Sequence, residues 1–291
     1  MSHFETDQYN VYGYANIKLP YHFIWTLGLG YDVFQRDNFK LNEISPKIGV
    51  QWNVSKYLRL RAAGFKTVTR TAIERRTIEP TQVAGFNQFF DDATGSQFWR
   101  YGGAIDMILS NDLYSGVEFT RRDIDVPFSI GLPFFQIEKQ QEDVFHSYLY
   151  WTVHERLAFS AEYEWNRFIF RSQTSLPTGR PQRIATHSVP LKLRYFSPSG
   201  LFSSFTARYV NQSVRLASTS QFPKDNGDFW VFDAGLGYRL PRRYGIISFK
   251  VTNLFDRKFL FQDELFRTGE QSMRSLLVPE RSIFGTITLN F

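Results

Sequence analysis

The sequence predicts an all-β protein: an antiparallel transmembrane β-barrel, with this chain supplying about 13 strands as the C-terminal part of a larger barrel. Three observations carry that expectation. First, the segment from Arg281 to Phe291 places Ile283, Gly285, Ile287, Leu289 and Phe291 on one face and Ser282, Thr286, Thr288 and Asn290 on the other. A period of two with one apolar and one polar face, over about 9–11 residues, suits a tilted strand between lipid and a wet interior. Second, aromatic residues make up 18% of the chain, with 30 Phe, 15 Tyr and 6 Trp against 3 Met. That enrichment fits strands, and the aromatic girdles at the two edges of a membrane barrel. Third, short turns of about two to four residues alternate with connections of about 9 to 30, as outer-membrane barrels alternate periplasmic turns with extracellular loops.

The strands follow in order from period-two runs between turn residues. The first spans Val11 to Leu19, and after Pro20-Tyr21-His22 the second covers Ile24 to Phe34, with Trp25, Leu27, Leu29, Tyr31 and Val33 on one face. Ile44 to Val54 turns through Ser55-Lys56-Tyr57 into Leu58 to Thr69. An irregular stretch from Arg70 to about Gln97 precedes Trp99 to Leu109, the turn Ser110-Asn111-Asp112, and Leu113 to about Arg121. A second irregular stretch contains Pro127 and Pro133 and leads to Val144 to Val153. Past His154-Glu155, Leu157, Phe159, Ala161, Tyr163 and Trp165 alternate with Ser160, Glu162, Glu164 and Asn166, the clearest division between lipid and lumen inside the chain. Arg183 to Phe196 and Leu201 to Leu216 flank the turn Ser197-Pro198-Ser199-Gly200. The strand from Trp230 to Leu240 turns through Pro241-Arg242-Arg243-Tyr244 into Ile246 to Phe255, and a long loop precedes the last strand.

No apolar run approaches the roughly 18 residues of a membrane-spanning helix, so a membrane span here must be a closed barrel. Cysteine is absent, which removes disulfides, thiolate metal sites and cysteine nucleophiles. The net charge of +6 is compatible with attraction to anionic lipopolysaccharide. Its basic residues are scattered without a run, which disfavours nucleic-acid binding. The N-terminus lacks the basic start, apolar stretch and cleavage site of a signal peptide. Together with an odd strand number, this leads to the expectation of a single partial barrel domain over 1–291, with any other N-terminal domain lying outside it.

The segment Ile247 to Phe259 resembles the penultimate strand of TonB-dependent outer-membrane receptors, through Asn253, Leu254, Phe255, Asp256, Arg257 and Phe259. Pro279-Glu280-Arg281 is similar to that family's Pro-Gly-Arg before the last strand, with Glu280 in place of glycine. Ser45 to Val50, Leu58 to Ala63 and Thr69-Arg70 resemble a mid-barrel hairpin of the same receptors. The resemblance implies a plugged barrel of 22 strands that imports a scarce ligand, such as a siderophore complex, with energy delivered through TonB. It implies as partners outer-membrane lipid, the barrel-assembly machinery, an N-terminal plug or periplasmic domain, and TonB through that domain. It also implies an assembly signal at the terminal aromatic Phe291. The chain departs from the family at Arg76 to Asp92, where only Glu79-Pro80 is reminiscent. That departure keeps open a passive porin, or the export porin of a tetratricopeptide-repeat outer-membrane protein.

Candidate functional residues are few. The loop Gly85-Phe86-Asn87-Gln88-Phe89-Phe90-Asp91-Asp92 combines three aromatics with amides and acids, as a ligand-contacting outer loop would. It could equally fold into the barrel mouth and pack on itself. Asp91-Asp92 with Asn87 lacks the spaced oxygens of a calcium site. Charged positions on the polar faces, among them Lys47, Arg59, Arg61, Asp106 and Glu162, suit either a path for an anionic solute or cross-strand ion pairs that hydrate the interior. Of the five histidines only His146 is placed to face inward, and a lone His at a barrel mouth is more often structural, so neither an enzyme nor a cofactor is expected.

Overall fold

The computed structural model describes residues 6–19, 21–36, 39–69, 79–88, 92–131, 134–171, 181–216, 226–259, 261 and 280–289. Alternating sequence produces one antiparallel sheet of 13 strands whose order in space is their order in sequence. Its strands are β1 (Thr6–Leu19), β2 (Phe23–Arg36), β3 (Phe39–Asn53) and β4 (Leu58–Val68), then, after the two-residue strands β5 (Gln82–Val83) and β6 (Phe86–Asn87), β7 (Gln97–Ser110) and β8 (Leu113–Gly131). They continue through β9 (Phe134–His154), β10 (Leu157–Phe170), β11 (Pro181–Phe196), β12 (Leu201–Leu216), β13 (Asn226–Arg239), β14 (Gly245–Thr252) and β15 (Ser282–Leu289). The pairing order ends at β1 on one side and β15 on the other, while β5 and β6 form a separate hairpin.

All six expected short turns lie between consecutive strands at one end of the sheet. Two expected loops, by contrast, are largely strand. Between Phe34 and Ile44, residues 35–36 extend β2 and residues 39–43 extend β3, with Gln35 opposite Lys40 and Phe34 opposite Leu41. Phe34 and Leu41 are buried against Val68, and that burial holds the extension in place. The stretch around Pro127 belongs to β8 and β9, which run to 19 and 21 residues. Pro127 lies beyond Asp125, the last β8 residue paired with β7, so it sits where one strand edge is open and a missing N–H is tolerated. Ile124 and Val126 hold this part of β8 by packing into a buried cluster with Phe65, Phe86 and Phe98.

The two faces differ as the alternation demands. Tyr31, Leu29, Ile48, Trp99, Phe119 and Trp230 are exposed on the outward face, as lipid-facing residues of a barrel must be. The inner face carries the polar and charged side chains and the small buried clusters. No helix among the described residues is long and apolar enough to cross a membrane.

Candidate functional site

The most constructed part of the inner face is a strap, residues 79–88 and 92–96, that follows β4 in sequence and lies on the wall formed by β1, β3, β4, β7 and β8. At its tip, Ala84 (φ 49) and Gly85 (φ 87) close a two-residue hairpin between Val83 and Phe86. Two successive positive φ angles match the twist of a tight hairpin. Gln82 Nε2 donates to Asn87 Oδ1 at 2.8 Å across it. Small residues on the wall admit the strap: a Cβ on Gly49 would lie 2.6 Å from that of Ala84 and 3.0 Å from Val83 Cγ1. One on Gly102 would lie 2.5 Å from the Phe119 carbonyl oxygen and 3.2 Å from Phe86. Val83 and Phe86 are buried in the cluster with Phe65 and Phe98.

Polar contacts tie both ends of the strap. Tyr14 Oη donates to Glu79 Oε1 at 2.5 Å and accepts from Gln88 Nε2 at 3.0 Å. Glu79 also pairs with Lys47 at 3.5 Å, and both side chains are almost completely buried. Arg61 stacks over the Phe86 ring at 5.0 Å while pairing with Asp106 at 2.7 Å and Glu118 at 3.2 Å. At the far end Arg122 joins Asp92 (2.8 Å) to Glu142 (2.6 Å). Guanidinium groups in this wall therefore serve strand and strap together, and charge-assisted bonds of this kind are roughly twice as strong as neutral ones.

Toward the short turns the wall is open and aromatic. Tyr148 and Tyr150 stack at 4.9 Å, His146 lies 5.8 Å from Tyr148, and Tyr148 Oη donates to Asp106 at 2.9 Å. Glu162 accepts from Lys192 at 3.0 Å and lies 3.3 Å from His146. Beside them a cleft of about 360 Å³ is lined by Tyr114, Tyr150, Glu162, Lys192 and Arg194. These inward charges are arranged chiefly as cross-strand ion pairs. Among the described residues no group of three or more metal-ligating side chains comes together.

Within the loop that the sequence singled out, Phe86, Gln88 and Asp92 are buried against the wall and Asn87 is exposed. Phe89, Phe90 and Asp91 lie outside the described residues, as does Phe291. The inward approach of this loop depends on Gly49 and Gly102 occupying inward positions far away in sequence. The only local trace is Val83-Ala84-Gly85-Phe86, a turn flanked by apolar residues.

The Asn253-Leu254-Phe255-Asp256 segment forms a compact turn that ends β14. Asn253 sits at φ 50, its Oδ1 accepts the Arg257 N–H at 2.9 Å, and its Nδ2 donates to the Arg257 carbonyl at 3.0 Å. Its own N–H donates to Asp233 Oδ1 at 3.0 Å, and the Leu254 N–H donates to the Phe232 carbonyl at 2.7 Å. Asp256 Oδ1 accepts the Arg281 N–H at 3.0 Å, which places the start of β15, and Phe255 packs edge-on against Phe232 at 5.3 Å. Asparagine suits this turn because it tolerates a left-handed backbone and bonds locally. Asn253→Ala is expected to lower unfolding free energy by about 1–3 kcal/mol, and Asn253→Gly by less because glycine relieves the backbone strain. Urea unfolding midpoints of the full-length gene product check this, and equal losses for the two variants would contradict it.

No protein-family model and no curated protein matches the sequence. Solved structures match the fold. The ferric-catecholate import receptor Fiu from E. coli K12 superposes with a TM-score of 0.65 at 13% identity, over 99% of this chain and 45% of Fiu. The ferric enterobactin receptor PfeA from Pseudomonas aeruginosa gives 0.65 at 14%, over 98% and 45%. The FrpB iron transporter from Neisseria meningitidis gives 0.67 at 15%, over 96% and 44%. The fold is that of a TonB-dependent receptor barrel. The chain spans less than half the length of the transporters it resembles.

Proposed function

We propose that this chain is wall of an outer-membrane uptake receptor, a barrel that imports a scarce ligand such as a siderophore complex and draws its energy through TonB. The observation that carries the reading is the superposition of almost the whole sheet on about 45% of such transporters, combined with an apolar outward face and an ion-paired inner wall. The remaining strands, a plug and its TonB contact belong in this reading to segments outside the 291 residues. Outer-membrane lipid and the barrel-assembly machinery are its other partners, with Phe291 as the assembly signal. The residues on offer to a ligand are Asn87 on the strap and the cleft beside Tyr150 and Lys192.

The test is uptake. Under iron limitation, deleting the gene should abolish growth on at least one ferric siderophore from a panel, and deleting tonB should have the same effect. Uptake that persists without TonB would replace the receptor with a passive porin. An outward flux of polymer that depends on the gene would favour the exporter.

A further inference from the structure

The outward face of β8–β12 changes character at one level. From the short turns up to the row Phe119, Phe145, Trp165 and His187, its alternating positions hold no Asp, Glu, Lys or Arg: Val117 on β8, Leu149 on β9, Ala161 on β10, Leu191 on β11 and Ala207 on β12 are typical. Just beyond it the registers set Arg121 opposite Asp143 and Asp143 opposite Arg167. One step further they set Arg183 opposite Arg215. Asp143, with its side chain 1% exposed, organises this level: its carboxylate accepts from Arg167 Nε at 2.9 Å and from Gln141 Nε2 at 2.8 Å, and lies 3.6 Å from Arg121 Nε. Gln141 in turn accepts from Arg171. Arg167 also lies over the Trp165 ring at 5.2 Å. Arg121, Arg167, Arg171, Arg183 and Arg215 thus face outward over three successive rows, together with Lys139, against the carboxylates of Asp123, Asp125 and Asp143.

We propose that this arginine belt is a binding site for the phosphates of an outer-leaflet glycolipid headgroup; the proposal rests on the outer-membrane reading given above. An apolar face that ends on an aromatic row marks the edge of the hydrocarbon layer. Arginines directly above that row sit at headgroup depth. Guanidinium groups bind phosphate oxygens bidentately, and Asp143 holds Arg167 and Arg121 in place without using all their donors. Arg183 and Arg215 are exposed and widen the site along the same face. A phosphate-bearing lipid fits better than free phosphate, because its acyl chains would lie on the uncharged rows immediately below.

The test uses the full-length gene product purified in detergent, with diphosphoryl lipid A as the probe and native mass spectrometry as the readout. Wild-type protein should retain lipid A, and Arg167→Gln/Arg183→Gln/Arg215→Gln should bind it about tenfold more weakly while keeping heat-modifiable migration. If that variant fails to fold, Arg183→Gln/Arg215→Gln, at two exposed positions, should still weaken retention about threefold. Dephosphorylated lipid A should bind wild type and variant alike, and weakly. Equal retention of diphosphoryl lipid A by wild type and variant overturns the site. Inorganic phosphate binding as tightly as lipid A overturns the lipid source. Arginine-independent binding in a protein that fractionates with the outer membrane removes only this inference, whereas absence from the outer membrane removes the reading beneath it.

Discussion

Ala161→Arg in the full-length gene product is expected to cost about 2–4 kcal/mol of folding free energy in bilayers, while Ser160→Arg costs little. The two residues are neighbours on β10, where Ala161 pairs with Leu149 and Leu191 on the outward face. Ser160 borders the inward cleft beside Glu162 and Lys192. An arginine at 161 enters hydrocarbon near mid-span, whereas one at 160 enters a wet lumen beside a carboxylate. Denaturant titrations of each variant in lipid vesicles measure the difference. Equal losses would reject the assignment of faces and, with it, the membrane reading of β10.

Arg61→Ala is expected to cost about 2–4 kcal/mol and to loosen the strap. This guanidinium stands between Asp106 and Glu118 and covers Phe86, so its removal leaves two facing carboxylates sharing one region of the lumen. Stripping one partner from a buried ion pair costs about 3–5 kcal/mol; the loss is discounted here because Asp106 and Glu118 are about a quarter exposed and Asp106 keeps its bond from Tyr148. Arg61→Ala/Asp106→Asn/Glu118→Gln should recover most of the stability without restoring the stacking on Phe86. Protease cleavage within residues 79–88 should rise in both variants. Full protection of that segment in Arg61→Ala would show that Gly49, Gly102 and the buried apolar residues hold the strap without the cation. Gly49→Val separates these contributions, since its side chain would collide with Ala84 and Val83; overpacking of this kind costs about 1–3 kcal/mol, and it should release the strap with the ion pairs intact.

The strands, their faces and the six short turns were legible in the sequence because each rests on local physics. The period of two decides which side chains meet lipid, and turn residues fall where the chain must reverse. The Asn253 turn was not legible: the alternation carried that strand on to Phe255, whereas β14 ends at Thr252, where Asp233, the Phe232 carbonyl and Arg281 bond Asn253, Leu254 and Asp256 from far away in sequence. What escaped sequence reading depends on residues far apart in the chain. Pro127 argues locally against a strand, yet β8 continues through it because β9 pairs one edge and Ile124 and Val126 are buried beneath the strap. The loop after β4 held two equal possibilities. The inward seating of its residues 82–87 depends on Gly49 and Gly102, which leave room on the wall for Val83, Ala84 and Phe86. The outward arginines were present in the sequence as scattered charges. Only the registers of β8–β12 gather them in successive rows above an uncharged face, since alignment between strands is decided by cross-strand pairing and burial.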